Sequence, residues 1–426
     1  MMNQKPSLIS EPIPYNTIFP WLHLFRIFRL AVDFQKIMLA SAAFLLLLLG
    51  NHLFNTLPFA PPQQVRDTEQ LLPQNIQFYP QASDRFLQQR LNSIKILGEN
   101  SNYTIFHELN ERTLLEPMSS FTRPVFTLFN VGTNWSSLAY ATTQLLWAVI
   151  VWSLFGGAIT RIAAIQFAQD EHIGLRAALR FSLKRILSLV SAPLLPFAGI
   201  GFFWVLCLLI GLLGYIPGVG ETIVSLFWGL AYLFAFVMSL ILLVTLAGWP
   251  LMMATISVED SDGFDGLSRI FSYLFGRIWY FLWLVIVTLC YGAVCLFFVE
   301  LLLTFITYLS YWGVTWGLSD DTTNQLFMPN QNSLARTITL GWGKVLSILF
   351  SGFIISFFWS ANTVIYFLLR KCDDGTPIDH IYNADADEEQ AADLPLAGVA
   401  KSEEPVIERP VNPEQSEEKP EDEETS

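Results

Sequence analysis

The chain has 426 residues, of which 53% are hydrophobic, 14% aromatic and only 14% charged, and its mean hydropathy is +0.44. An ordinary soluble domain carries about 25% charged residues, so this composition excludes a water-soluble globule. The formal net charge of −13 belongs to one end: from Asp373 to Ser426 there are 18 acidic and 3 basic side chains, leaving 19 acidic and 21 basic over the rest.

Residues Met1 to Pro20 are polar and proline-rich. From Trp21 to Lys36 the apolar residues Leu22, Phe25, Phe28 and Leu30 are interleaved with Arg26, Arg29 and Lys36, the pattern of an amphipathic helix on a membrane surface. Residues 1–36 therefore read as a lead-in, and 37–54 as the first transmembrane helix. The sequence Asn51-His52-Leu53-Phe54 lacks the small residues of a cleavage site, so an uncleaved anchor is expected. Residues 55–135 are polar, with five prolines between Pro58 and Pro80 and a helix candidate from Ser83-Asp84 through Leu97. They are expected to form an extracytoplasmic loop or a small cap resting on the bilayer.

Between Ile186 and Val258, 73 residues contain one charged side chain, Glu221. Only a bilayer accommodates so long an apolar stretch. Within residues 136–371 five spans are expected. Ser137–Thr160 is bounded by Arg161. In the next run Pro193 and Pro196 should break the helix, so that Ile186–Leu195 lies along the interface and Phe197–Tyr215 crosses. Thr222 to just before Pro250, Ile278 to about Tyr308, and Thr337 to Arg370-Lys371 complete the set. Trp and Tyr near these ends match an interfacial belt. The fold class is thus all-α, a polytopic membrane helix bundle of about six transmembrane helices with amphipathic interfacial helices. With the N-terminus inside, inner segments hold 13 Lys/Arg, whereas the short outer segments hold only Arg336, with Lys344 just inside the sixth span. The positive-inside rule then places both termini in the cytoplasm, with the chain in a bacterial inner membrane.

Two inner connections echo each other at an offset of 92: Asp170 through Leu175, Phe181 and Arg185-Ile186, and Asp262 through Leu267, Tyr273 and Arg277-Ile278. Each runs from an acidic loop through an amphipathic stretch into Arg-Ile and a span, either by duplication or by convergence on one interfacial pattern. The arrangement, with the basic-then-acidic tract Arg370-Lys371-Cys372-Asp373-Asp374-Gly375 after the last span, resembles a group of uncharacterised bacterial multi-pass proteins whose spans are joined by amphipathic inner helices. The resemblance covers mainly Ser137 to Tyr382 and implies no activity.

Recognisable chemistry is sparse. The five histidines form no helical metal pair, the four cysteines have no metal or disulfide spacing, and no nucleophile elbow or phosphate loop is present. No catalytic residue, metal or cofactor is expected, and no nucleic-acid partner, which would need clustered positive charge. Glu300 and Lys344 are lone charges within neighbouring spans. They read as an intramembrane ion pair, as two side chains snorkelling outward, or as part of a polar path. Arg161, Arg176, Arg180, Lys184, Arg185, Arg269 and Arg277 read as headgroup contacts. Residues 372–426 are acidic and cannot bury a core, so a disordered cytoplasmic tail is expected. The leading functional reading is a non-enzymatic scaffold, assembly or membrane-organising subunit, with lipid and a protein partner at the inner helices or tail. The alternatives are a permease or lipid-handling transporter and, third, an intramembrane enzyme.

Overall fold

The computed structural model describes residues 19–58, 60, 116–130, 134–327, 334–382, 397–399 and 405–407. The chain divides into two units, Met1–Ile381 and Tyr382–Ser426. The first is all-α in its described residues. The described part of the second is an antiparallel pairing of β1 (Ala397–Val399) with β2 (Pro405–Ile407), Gly398 opposite Val406. The expected disordered tail is ordered at its start, where Cys372 and Asp373 end the last helix and Ile381 is buried. Apart from the ranges given above, its remaining residues lie outside the described residues.

A 3-10 turn, Pro20–Arg26, leads into α1 (Ile27–Ala31). Asp33 then caps α2 (Phe34–Phe54) by accepting from the Gln35 amide at 3.0 Å. After α3 (Glu116–Leu128), α4 (Trp135–Val151) continues through a π turn, Trp152–Gly156, into α5 (Gly157–Ala168). The surface helix α6 (Leu175–Lys184) precedes α7 (Ile186–Leu212), and α8 (Gly220–Glu259) returns. A second surface helix, α9 (Gly263–Gly276), precedes α10 (Ile278–Thr315), followed by α11 (Asp320–Phe327) and α12 (Leu334–Asp373). Among the described residues six helical segments are long and apolar enough to cross a bilayer: α2, α4–α5, α7, α8, α10 and α12. The protein is therefore a multi-pass membrane protein.

The spans pair as three hairpins, α2 with α4–α5, α7 with α8, and α10 with α12. All three open and close at one end of the bundle, here called the base, which carries α6 and α9. The 21 residues of α2 match a hydrocarbon core of about 30 Å, whereas the 40 residues of α8 or α12 extend about 60 Å. The long helices use that excess unequally. In the most apolar stretches of α4–α5 and α12, 83% of residues are buried within the protein, against 11% in those of α7 and α8. The base and middle of the bundle hold the packed core, and the distal halves of α7 and α8 turn apolar side chains such as Phe202, Trp204, Leu226 and Phe236 outward.

Close approach of helices in lipid rests on small residues and interlocked rings rather than on a hydrophobic driving force. A Cβ on Gly352 of α12 would lie 2.2 Å from Ser41 Oγ and 2.9 Å from the Ile37 carbonyl of α2, so these two backbones touch. In the middle of the bundle Trp152, Trp249 and Trp359 are fully buried, with ring centroids 5.6 Å apart for Trp152–Trp359 and 5.3 Å for Trp249–Trp359. Gly156 leaves room for the Trp359 ring, whose nearest atom would be 2.6 Å from a Cβ there.

The structure departs from the sequence expectations in several places, and α8, expected to end before Pro250, runs through it to Glu259. Pro193 and Pro196 do not end a helix: α7 runs unbroken from Ile186 to Leu212, and both prolines are buried. A proline costs one backbone hydrogen bond, which a membrane helix tolerates where neighbours cover the freed carbonyl. Arg161 does not mark the end of its span, because α5 continues to Ala168 and buries it. Pro20–Ala31 is not simply laid on a surface: Leu24, Ile27 and Ala31 are fully buried, and Phe28 packs against Phe298 and Phe353. Finally, Glu116–Leu128, read as part of the polar loop, enters the bundle, with Phe121 stacked on Trp249 at 4.9 Å. Its expected neighbour from Ser83 to Leu97 lies outside the described residues.

Candidate functional site at the charged base

Each hairpin is closed at the base by an Arg–Asp contact. The arginine precedes the outgoing helix and the aspartate follows or ends the returning one. Arg26 and Arg29, before α2, reach Asp170 beyond α5 at 3.3 and 3.0 Å. Arg185, between α6 and α7, meets Asp260 beyond α8 in a two-pronged pair, with Nε–Oδ1 and Nη2–Oδ2 both 2.6 Å. Arg277, between α9 and α10, lies 3.6 Å from Asp373 at the end of α12.

Local backbone chemistry places these acids. Asp170 and Asp260 have φ of 54° and 52°, and among the described residues they are the only non-glycine positions with positive φ. Aspartate enters this left-handed region more readily than most residues because its short side chain bonds locally. The turn ends one helix and aims the carboxylate back across the base. After α12 the same service falls to Gly375, with φ of 70°. The 92-residue echo in the sequence holds at the junctions Arg185 and Arg277, each between a surface helix and a long span, while the left-handed aspartates before the surface helices, Asp170 and Asp260, are 90 residues apart.

Glu259, the last residue of α8, is the hub. Its carboxylate accepts from Tyr366, Arg269 and Arg370, the last at 3.1 Å. Glu259 and Arg370 have side chains only 10% and 7% exposed. Arg269 also holds Asp265 one turn back on α9 at 3.0 Å, and Arg370 donates to the His380 carbonyl at 2.9 Å. Two carboxylates and two guanidiniums make a neutral quartet, the arrangement that keeps a buried ion group from being prohibitively costly. Burial alone would lower the Arg269 pKa, but the Asp265 hydrogen bond and the Glu259 and Asp265 charges outweigh it and the net shift is upward. Burial, followed by its hydrogen bond to Asp374, raises the Tyr273 pKa, so that phenol stays neutral.

A second polar cluster sits where α2 begins. Lys36 is fully buried and donates to Gln166 Oε1 at 2.5 Å. The Gln166 amide nitrogen bonds Asp33 and lies 2.9 Å from His172 Nδ1. Arg161, 8% exposed, donates to the Ser257 carbonyl at 2.8 Å and stacks over the Phe181 ring at 4.7 Å.

The seven basic residues marked in the sequence therefore part company. Arg161, Arg185, Arg269 and Arg277 are engaged within the protein. Arg176, Arg180 and Lys184 are exposed along α6, and among the described residues their side chains make no ion pair. Glu300 is buried on the face of α10 turned to α12, and Lys344 is exposed. The antiparallel contacts Arg277–Asp373 and Tyr291–Phe357 set Glu300 opposite residues near 350. Lys344 is therefore about 6–9 Å further out along α12, and no ion pair joins the two among the described residues. No group of three or more His, Cys, Asp or Glu residues suited to a metal occurs among the described residues.

Sequence reasoning overlooked Glu259, Asp260, Gln166 and the burial of Lys36. A signal existed for the first two, since Glu259-Asp260 are the first charges after 37 uncharged residues from Thr222. Fold and site together define a polytopic α-helical membrane protein with a clasped, charged base. The chain matches no family model, no curated protein and no solved structure.

Proposed function

We propose that this protein is a non-enzymatic membrane-organising or assembly subunit. The observation that carries the reading is a charged plate of three Arg–Asp clasps, with the Glu259 hub joining α8, α9 and α12 beside two of them. Ion pairs at the base hold one another and leave the bundle fixed, which suits a platform better than a machine that must rock between two states. The plate faces the cytoplasm of a bacterial inner membrane, because its flanks carry most of the chain's membrane-proximal Lys and Arg. Arg176, Arg180 and Lys184 on α6 grip anionic headgroups there, and a protein partner docks at the base helices or the acidic tail.

Lipid handling is the second reading. It is favoured by the thinly covered distal halves of α7 and α8, between which and the other hairpins apolar cargo could pass. One experiment separates the two: affinity purification in mild detergent with protein and lipid content measured on the same sample. A stoichiometric protein partner, with co-purified anionic lipid that is lost when Arg176, Arg180 and Lys184 are changed to Gln, supports the platform. Purified protein that moves lipid between vesicles without a partner supports the second reading and sinks the first.

A further inference from the structure

A cleft lies between α2, α3 and α4, in the distal half of the bundle. Its enclosed part is small, about 30 Å³, and it opens to the surroundings, so a ligand would sit at its mouth rather than inside it. Its walls are polar for their depth. Asn51 and Gln144 project from membrane-spanning helices and touch at 3.4 Å, and Ser119, Ser120 and Arg123 come from α3. Trp147 closes one side, its indole donating to the Leu46 carbonyl at 3.2 Å while Gly50 leaves space for its ring.

The cleft contains one cation and no carboxylate. Arg123 is exposed, and its guanidinium has no hydrogen-bond or ion-pair partner among the described residues. Packing fixes α3: Phe121 and Val125 are fully buried, and Trp152 Nε1 donates to Ser120 Oγ at 2.7 Å. The position of Arg123 thus follows from the packing of α3, not from a partner of its own. Asn51 is three residues from the end of α2 and Gln144 nine residues from the start of α4, so the cleft lies within the length of two spanning helices. A cation and two amides there are costly unless a polar group meets them. Exposed Phe126 lies three residues beyond Arg123 on α3 and offers acyl chains an apolar contact.

We propose that this cleft binds the phosphate headgroup of an anionic glycerophospholipid from the distal leaflet, with Arg123 pairing the phosphate and Asn51 and Gln144 bonding the glycerol esters. The inference is independent of the platform reading, since it concerns the opposite half of the bundle. The test titrates the detergent-purified full chain with dioctanoyl phosphatidylglycerol, dioctanoylglycerol and inorganic phosphate, with bound species counted by native mass spectrometry. The phospholipid should bind, the phosphate-free diacylglycerol should bind about tenfold more weakly or not at all, and inorganic phosphate should not displace the lipid. Arg123→Gln should weaken phospholipid binding by about tenfold and Arg123→Lys should restore part of it. Gln144→Leu is the second variant, should Arg123→Gln not fold. Equal binding of the two lipids, displacement by free phosphate, or unchanged binding in both variants would each overturn the assignment.

Discussion

Arg185 and Asp260 are separated by 75 residues, the whole of α7 and α8, yet their side chains meet in a two-pronged contact with both distances 2.6 Å. The pair joins the two feet of a hairpin whose distal half has few contacts with the rest of the bundle. Where packing holds a hairpin weakly, the chemistry at its feet matters more.

Removing the Asp260 charge should therefore loosen α7–α8 without collapsing the protein. The side chains are 32% and 12% exposed, so the loss falls near the range for hydrogen bonds to charged groups, about 1.5–3 kcal/mol. Asp260→Asn keeps the residue's ease in the left-handed region, and Asp260→Ala does not. Thermal melting in detergent should rank wild type above Asn and Asn above Ala. An Asn variant that melts with wild type would mean the clasp is ornamental.

Glu259 should behave differently, because its loss strands a buried cation. Glu259→Gln leaves Arg370, 7% exposed, without its anion, at a cost of about 3–5 kcal/mol. Exchanging both partners, Glu259→Gln with Arg370→Met, removes the stranded charge and should recover much of the melting temperature. A double variant as unstable as the sum of the singles would contradict the hub.

Glycine contacts give a packing test. Gly352→Ala forces α2 and α12 apart, since its Cβ meets the Ile37 backbone as well as Ser41, and overpacking of this kind costs about 1–3 kcal/mol. Gly201→Ala and Gly229→Ala have nothing within 4 Å and should be neutral. Equal effects at all three positions, read as expression and melting in detergent, would argue against the α2–α12 contact.

His23 introduces a pH dependence. Its ring packs edge-on to Phe167 with centroids 5.8 Å apart, and its Nδ1 is buried without a partner. Burial, then the charges of Arg26 and Lys371, lowers its pKa. With the folded pKa below the unfolded one, acid favours the unfolded chain. Stability from this group is full above the unfolded value, about 6.5, declines as pH falls through it, and levels off below the folded pKa. Melting temperature should drop between pH 7.5 and 5.5, and the drop should shrink in His23→Phe. The same drop in both proteins would assign it to other groups.

The spans were legible because apolar length is a strong signal: six were expected and six helices of suitable length occur among the described residues. Their ends were less legible. Arg161 looked like a terminus because a charge in a span is costly, but the Ser257 carbonyl and the Phe181 ring, distant in sequence, supply what water would. Lys36 misled for the same reason, its partner Gln166 lying 130 residues away. Helix α3 was hidden because only one face of its 13 residues is apolar, and burial of Phe121 depends on Trp249 from another hairpin. The echoed linkers were visible, but the matching clasp at Arg26, Arg29 and Asp170 was not, since no repeated spacing announces it.

The most direct measurement is cysteine accessibility in sealed membranes, with the native Cys207, Cys290, Cys295 and Cys372 replaced. Single cysteines at Arg180, Asp262 and Asp379 test the base, and those at Thr56, Val219 and Trp316 test the distal end, all of them exposed positions. Three clasped hairpins require the first three to react from one side of the membrane and the last three from the other. A base position that labels together with Val219 would break the hairpin scheme and the account built on it.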